Sequence, residues 1–262
     1  MLFRSTKATY VRFGTDADLA SEQQGVTFVY KPGISATDPE VRIHEAHLCG
    51  LQPGTEYQYK VGGEADGAVH WSPVYSFRTA PAVTDDTVVS LAIVGDSRSG
   101  YDVWSALVGE LDARSPDLIL FSGDAVMFGH VQTEWETFFE QGAGLLTKVP
   151  MVAAHGNHEA NSVTYYSQVA LPGDEENYSL GYGHAHVTVL NDTPLNTSDL
   201  SGKIADFLAA DLAANASAPW KFVMHHRPTY SSSTSHGSDE TLRALWGPIF
   251  DANDVDLVLN GH

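Results

Sequence analysis

Basic residues are scarce in this 262-residue chain: 14 lysines and arginines stand against 33 aspartates and glutamates, for a net charge of −19. Nucleic acid is repelled by such a balance unless the few cations form a stripe, and no stripe is present, so no nucleic acid duplex is expected as a partner. The acidic residues are scattered, which excludes an acidic tail. Cys49 is the single cysteine and excludes an internal disulfide. No apolar run reaches 18 residues, so no membrane span is expected. Met1-Leu2-Phe3-Arg4-Ser5 lacks the apolar stretch of a signal peptide. No Ser or Cys nucleophile motif is visible, which leaves no obvious route through a covalent intermediate. What the chain does have is an ordinary hydrophobic content of 43%, enough to bury sizeable cores in one large domain or two modest ones.

Residues 1 to about 80 read as all-β. Tyr10-Val11-Arg12-Phe13, Val26-Thr27-Phe28-Val29-Tyr30 and Tyr57-Gln58-Tyr59-Lys60-Val61 alternate or are rich in aromatic and β-branched residues. Lys31-Pro32-Gly33, Pro53-Gly54 and Gly62-Gly63 supply turns between them. Short strands at this spacing predict a β-sandwich. Residues 81–87 are polar and unpatterned, a linker. From residue 88 the period changes. Residues 88–94 are nearly all apolar, as in a parallel strand covered on both faces. Residues 102–114 place Val103, Leu107, Val108 and Leu111 on one helical face. Further strands are expected at 118–121, 151–154, 222–224 and 256–259, with a hairpin joining 178–180 to 187–190 across Gly181-Tyr182-Gly183. Helices are expected at 132–147, at 201–214 and at 239–250, the last interrupted near Pro248. Strand, loop and helix in repetition make an α/β layered domain.

Five motifs follow these strands: Gly95-Asp96, Gly123-Asp124, Gly156-Asn157-His158-Glu159, His226-Arg227-Pro228 and Gly261-His262. Ligands of α/β sheets bind beyond the carboxyl ends of the strands, which is where all five fall. One Gly-Asp after a strand is ordinarily a turn, and Gly-Asn-His-Glu alone also reads as a loop whose Asn caps a helix. Together in order they supply what a pair of divalent cations about 4 Å apart requires: a bridging carboxylate, further oxygens and neutral imidazoles. Asp96, Asp124, Asn157, His226 and His262 are those candidates. The acidic surface also demands local cations to receive an anionic ester.

Leu51-Gln52-Pro53-Gly54-Thr55-Glu56-Tyr57, Trp71-Ser72-Pro73, Phe77-Arg78-Thr79-Ala80-Pro81 and the five motifs resemble the calcineurin-like metallophosphoesterase superfamily, and within it the purple acid phosphatases. The resemblance implies a fibronectin type III-like sandwich at 1–80, a linker at 81–87 and a metallophosphoesterase domain at 88–262. It also implies that the first module lacks its first strands and that the second is truncated at its C-terminal end. Asp124 would bridge two metals (Fe, Zn or Mn, divalent or of mixed valence). Asn157, His226 and His262 would complete one site and Asp96 would hold the other. The family expects a tyrosine where Met127 stands, so the purple charge-transfer colour should be absent and the Asp96 site weak.

By the same resemblance, His158 would protonate the leaving group and His236 would contact the phosphoryl group. Arg98 stands where many relatives have a metal-binding histidine; it could hold phosphate or pair with an acidic neighbour. The implied activity is hydrolysis of a small phosphate monoester by a metal-bound hydroxide, in a secreted, periplasmic or extracellular protein. A phosphodiesterase, a nucleotidase and a non-catalytic binding protein are the alternatives.

Overall fold

The computed structural model describes residues 6–32 and 40–262. The turn expected at Lys31-Pro32-Gly33 leaves the described residues at Gly33, and residues 1–5 also lie outside them. The N-terminal region is all-β: β1 (Thr9–Gly14), β2 (Ser21–Gln24), β3 (Val26–Tyr30), β4 (Val41–Glu45), β5 (Glu56–Ala65), β6 (Ala68–Trp71) and β7 (Tyr75–Arg78). One antiparallel sheet runs β2-β1-β5-β6, with β7 also paired to β5. β3 and β4 form a second, two-stranded sheet. The aromatic content of β5 and β7 is what packs: Tyr57 stacks on Phe77 with ring centres 5.8 Å apart, and Tyr59 meets the same ring edge-on at 5.6 Å.

The second region comprises β8 (Leu91–Val94), α1 (Tyr101–Arg114), β9 (Leu118–Phe121), α2 (Gln132–Leu146), β10 (Met151–Ala153), α3 (Val163–Gln168), β11 (Tyr178–Tyr182), β12 (Ala185–Val189), α4 (Lys203–Ala214), β13 (Trp220–Met224), α5 (Glu240–Ala252) and β14 (Leu257–Leu259). Two sheets result, β10-β9-β8, all parallel, and β11-β12-β13-β14, parallel except for the β11–β12 hairpin.

The alternation of side chains along β9 explains the layering. Leu118 and Leu120 face the other sheet and meet Val187, Val189 and Met224, while Ile119 and Phe121 face Trp104 of α1 and Phe138 of α2. Val223 of β13 faces α4 and α5, against Leu208, Leu212 and Trp246. The order of layers is therefore helices, sheet, sheet, helices. All four positions of β9 are buried, the mark of a central parallel strand.

Five expectations change. Gly62 and Gly63 do not form a turn but lie inside β5, paired with Trp71 and His70 of β6. Residues 88–94 do not form one buried strand: Val88 is 93% exposed and Ile93 is 46% exposed, because β8 begins at Leu91 and is an edge strand. The inward stripe of α1 is Tyr101, Trp104, Val108 and Leu111, whereas Val103 and Leu107 lie in solvent. Trp104 decides this, since its ring stacks on Phe138 at 5.2 Å and its Nε1–H donates to the Phe138 carbonyl at 3.1 Å. The β11–β12 turn is only Gly183-His184, with Gly183 left-handed at φ 56°, so Gly181 and Tyr182 stay in the ladder. Pro248 does not interrupt α5. The helix keeps Leu242, Trp246 and Phe250 buried on one face, and Asp239 Oδ1 caps its start by accepting from the Leu242 N–H at 3.0 Å.

The two regions are joined by polar contacts. Tyr59 Oη donates to the Thr147 carbonyl at 2.8 Å, Gln168 Nε2 donates to Tyr30 Oη at 2.7 Å, and Thr164 Oγ1 donates to the Pro32 carbonyl at 3.3 Å. Among the described residues no helix is long and apolar enough to cross a membrane.

Candidate metal centre

Each motif begins where a strand ends, and the backbone there is unusual. Asp96 and Asp124 have φ of 53° and 57°, and His262 has 70°, all left-handed. Aspartate tolerates that region better than most residues, and strain of this kind is held only where surrounding bonds fix it. The loops also approach closely: a Cβ on Gly156 would lie 2.3 Å from Asp124 Oδ1, and one on Gly261 would lie 2.5 Å from Asp96 Oδ2. Only glycine leaves room for these loops to close on the two carboxylates.

Asp124 and His226 are fully buried, and Asp124, His226 and His262 present ligand atoms within 4.8 Å of one another. His226 Nδ1 lies 2.8 Å from the Ser122 carbonyl, which can only accept, so the ring proton is on Nδ1 and Nε2 offers a lone pair. Around that lone pair stand Asn157 Oδ1 at 3.1 Å, Asp124 Oδ2 at 3.2 Å and His262 Nδ1 at 3.2 Å. The approach to Asp124 Oδ2 is close enough for attraction but is not aligned as a hydrogen bond, and this buried oxygen keeps no hydrogen-bond partner.

Such a gathering of acceptors needs a positive charge. A proton on His226 is one solution. Burial works against it, but Asp124 outweighs burial and carries the His226 pKa up to about 9. Burial likewise opposes charge on Asp124, and His226, the His158 N–H and Arg98 outweigh it, holding the carboxyl below its usual range. A divalent cation is the other solution, and one buried carboxylate oxygen, an amide oxygen and two imidazole nitrogens suit it. The orphaned Oδ2 and this donor set fit one metal ion.

The Asp96 side differs. Arg98 Nη1 donates to Asp96 Oδ1 at 3.0 Å, and Arg98 Nε lies 3.4 Å from Asp124 Oδ2. The guanidinium, expected either to hold phosphate or to pair with an acidic neighbour, is engaged by both carboxylates. Asp96 itself also accepts from the His262 N–H at 2.8 Å through Oδ2.

His158 is held by its Nδ1, 2.8 Å from the Met127 carbonyl, so its Nε2 faces the centre 4.0 Å from Asp124 Oδ2. His236 is exposed in the Ser-rich loop, yet its ring centre lies 4.2 Å from that of His262. The structure thus brings all eight expected site residues into one neighbourhood. Beside it opens a cleft of about 730 Å³ lined in part by Asn157, Thr193, Arg227 and Asp239.

Two residues without an expected role hold the centre in place. Glu159 is buried, and its carboxylate accepts from the N–H groups of Asp124 at 2.9 Å, Ala125 at 2.8 Å and Gly156 at 2.8 Å. Burial nevertheless raises its pKa. Its place at the end of Gly-Asn-His-Glu was the available signal. Asp192 is fully buried and accepts from the backbone N–H of Arg227; its Oδ2 also lies 3.2 Å from His225 Nδ1. Nothing local marked it, because its partners are 33 and 35 residues away.

The sequence profile of the calcineurin-like phosphoesterase family matches residues 89–262. The chain belongs to that family. The profile of the purple acid phosphatase N-terminal domain matches residues 3–79 of the same chain. Among curated proteins, purple acid phosphatase 15 of Arabidopsis thaliana is 28% identical over 96% of this chain and 55% of its own length. Purple acid phosphatase 22 of the same plant is 28% identical over 90% of this chain and 54% of its own length. The chain therefore spans about half the length of these relatives. The phosphoesterase fold is matched, at a TM-score of 0.83 and 20% identity, by a purple acid phosphatase from yellow lupin (Lupinus luteus) seeds, over 98% of this chain and 53% of that one. The family is one of metal-dependent phosphoester hydrolases.

Proposed function

We propose that this protein hydrolyses small phosphate monoesters at a metal centre carried by Asp124, Asn157, His226 and His262. The observation that carries the reading is the buried Asp124 Oδ2, which has no hydrogen-bond partner and gathers with Asn157 Oδ1 and His262 Nδ1 around His226 Nε2. A bound cation there supplies Lewis-acid stabilisation of the phosphoryl charge and activates water at neutral pH.

The chain's own residues do the rest. The Ser122 carbonyl fixes the His226 tautomer, so the lone pair points inward. Glu159 holds the loops after β9 and β10 together, which sets the position of Asp124 relative to Asn157. The Met127 carbonyl fixes Nδ1–H of His158, leaving Nε2 as the atom that delivers a proton to the departing oxygen. The neighbouring cleft accommodates the alcohol portion, and its Arg227 is tied to Asp239 at 2.9 Å rather than free for phosphate. Activity in an exported protein belongs to the same reading and rests on the family alone.

The test is hydrolysis of an aryl phosphate monoester and the matching diester by the purified protein with manganese, zinc or iron. Monoester turnover that is abolished by chelation and restored by metal is expected. His158→Ala should slow an alkyl ester by about 10²-fold and a nitrophenyl ester far less, because a good leaving group needs no proton. Chelator-insensitive turnover, or a diester preference, would overturn the assignment.

A further inference from the structure

The cation that the Asp96 side of the centre requires is already present in the chain. Asp96 and Asp124 converge on one space at the ends of β8 and β9, with their backbones tied by the Asp96 N–H donating to the Gly123 carbonyl at 2.9 Å. Into that space comes Arg98, whose backbone N–H donates to the Asp124 carbonyl at 3.2 Å and whose side chain is only 21% exposed. Its Nη1 bonds Asp96 Oδ1 and its Nε stands 3.4 Å from Asp124 Oδ2. That oxygen is the one which, on its other side, faces His226 Nε2 at 3.2 Å.

A guanidinium is charged at every pH a protein experiences and cannot ligate a metal. The residues on this side therefore do not fit a second metal ion: one guanidinium already pairs with both carboxylates and fills the position between them. We infer that Arg98 is a built-in replacement for one cation of the expected pair, so that the working centre is one metal ion plus one guanidinium sharing Asp124. Arg98 is then a positioning residue for Asp124, and its permanent charge takes over the role of holding that carboxylate ionised and aimed at the metal. The inference rests on the metal reading of the Asp124, Asn157, His226 and His262 set.

Three properties follow. The protein binds one divalent ion per chain. The ion is magnetically isolated, and the stoichiometry changes when residue 98 changes. The experiment is titration of the purified, metal-stripped protein with Mn²⁺, followed by calorimetry and by electron paramagnetic resonance.

One equivalent and the six-line spectrum of an isolated ion are expected. Arg98→His, which exchanges the guanidinium for a ligand, should bind two equivalents and give the broadened spectrum of a coupled pair. Arg98→Gln, which removes charge but supplies no imidazole, should keep one equivalent with affinity reduced about ten-fold or more. Two equivalents or a coupled spectrum in the native protein would overturn the inference while leaving the metal reading intact. No binding at all would overturn both. Should Arg98→His fail to fold, the stoichiometry of the native protein still decides between one ion and two. A folded Arg98→His that still binds one ion would show that Arg98 is not what excludes the second, and would also sink the idea.

Discussion

The two sides of the Asp124 carboxylate face opposite solutions to one electrostatic problem. Toward β13 and β14, Oδ2 meets His226, with Asn157 and His262 close behind, and this set carries no permanent cation. Toward β8 the same oxygen meets Arg98, and the cation is part of the chain. The buried carboxylate is common to both sides. The difference lies in a single residue two positions after Asp96. A metal site is defined as much by the absence of a donor as by the presence of ligands, and the ligand type alone does not reveal which side can accept an ion.

The largest effect should come from removing the group both sides share. Asp124→Asn keeps the size and the left-handed backbone but discards the charge. Metal binding should be lost and kcat/KM should fall at least about a thousand-fold, with the circular dichroism spectrum unchanged. Turnover within ten-fold of the native protein would erase the distinction between the two sides.

A smaller effect should follow from the brace beneath them. Glu159→Gln replaces a carboxylate that accepts three backbone N–H groups by an amide that turns a donor toward some of them. Stability should drop by about 2 kcal/mol, lowering the melting temperature by several degrees, and metal affinity should weaken by about ten-fold. An unchanged melting temperature would show that the loops after β9 and β10 are held by something else.

The smallest effect lies away from both sides and tests whether the comparison is local. Burial, with a lesser contribution from Tyr75, pushes the Tyr59 phenol up to about 12 from its ordinary 10.0. The unfolded chain releases this proton first, so the contribution to stability is intact below pH 10 and is lost as the pH rises from 10 to 12. After allowance for its partial exposure the loss is at most about 2 kcal/mol. Comparison with Tyr59→Phe isolates that slope from other tyrosines. The variant should also lose about 1 kcal/mol at neutral pH through the bond to the Thr147 carbonyl. Its Mn²⁺ affinity should match that of the native protein; a shift would mean that the N-terminal region reaches the centre.

Much of this was legible in the sequence because the governing forces are local. β9 and β10 were visible as short apolar runs, and α4 as a helix expected over 201–214. The five motifs stood out because each follows a strand, three in one sheet and two in the other. What escaped depended on distance or on size. The face of α1 turned on Trp104 finding Phe138, a partner 34 residues away. β2, β4 and α3 were not anticipated: β2 is fully exposed and lacks an apolar pattern, and α3 is six residues long. Glu159 stood inside a motif but its role as a backbone brace depended on N–H groups up to 35 residues away, and Asp192 had no local mark because its partners lie 33 and 35 residues away. Arg98 was seen, but whether its charge would face substrate or carboxylates was a matter of geometry alone.

The left-handed backbone at Asp96 and Asp124 also constrains how this centre can change over generations. Few side chains other than glycine, asparagine and aspartate sit comfortably at φ of 53° and 57°. Asparagine and glycine are each one nucleotide away from an aspartate codon. Drift at these positions is therefore channelled toward neutral residues that leave the loops undisturbed. The proposed catalysis can be extinguished in a single step while the fold persists, so silent copies retaining the architecture should accumulate more readily here than around a site built on ordinary backbone.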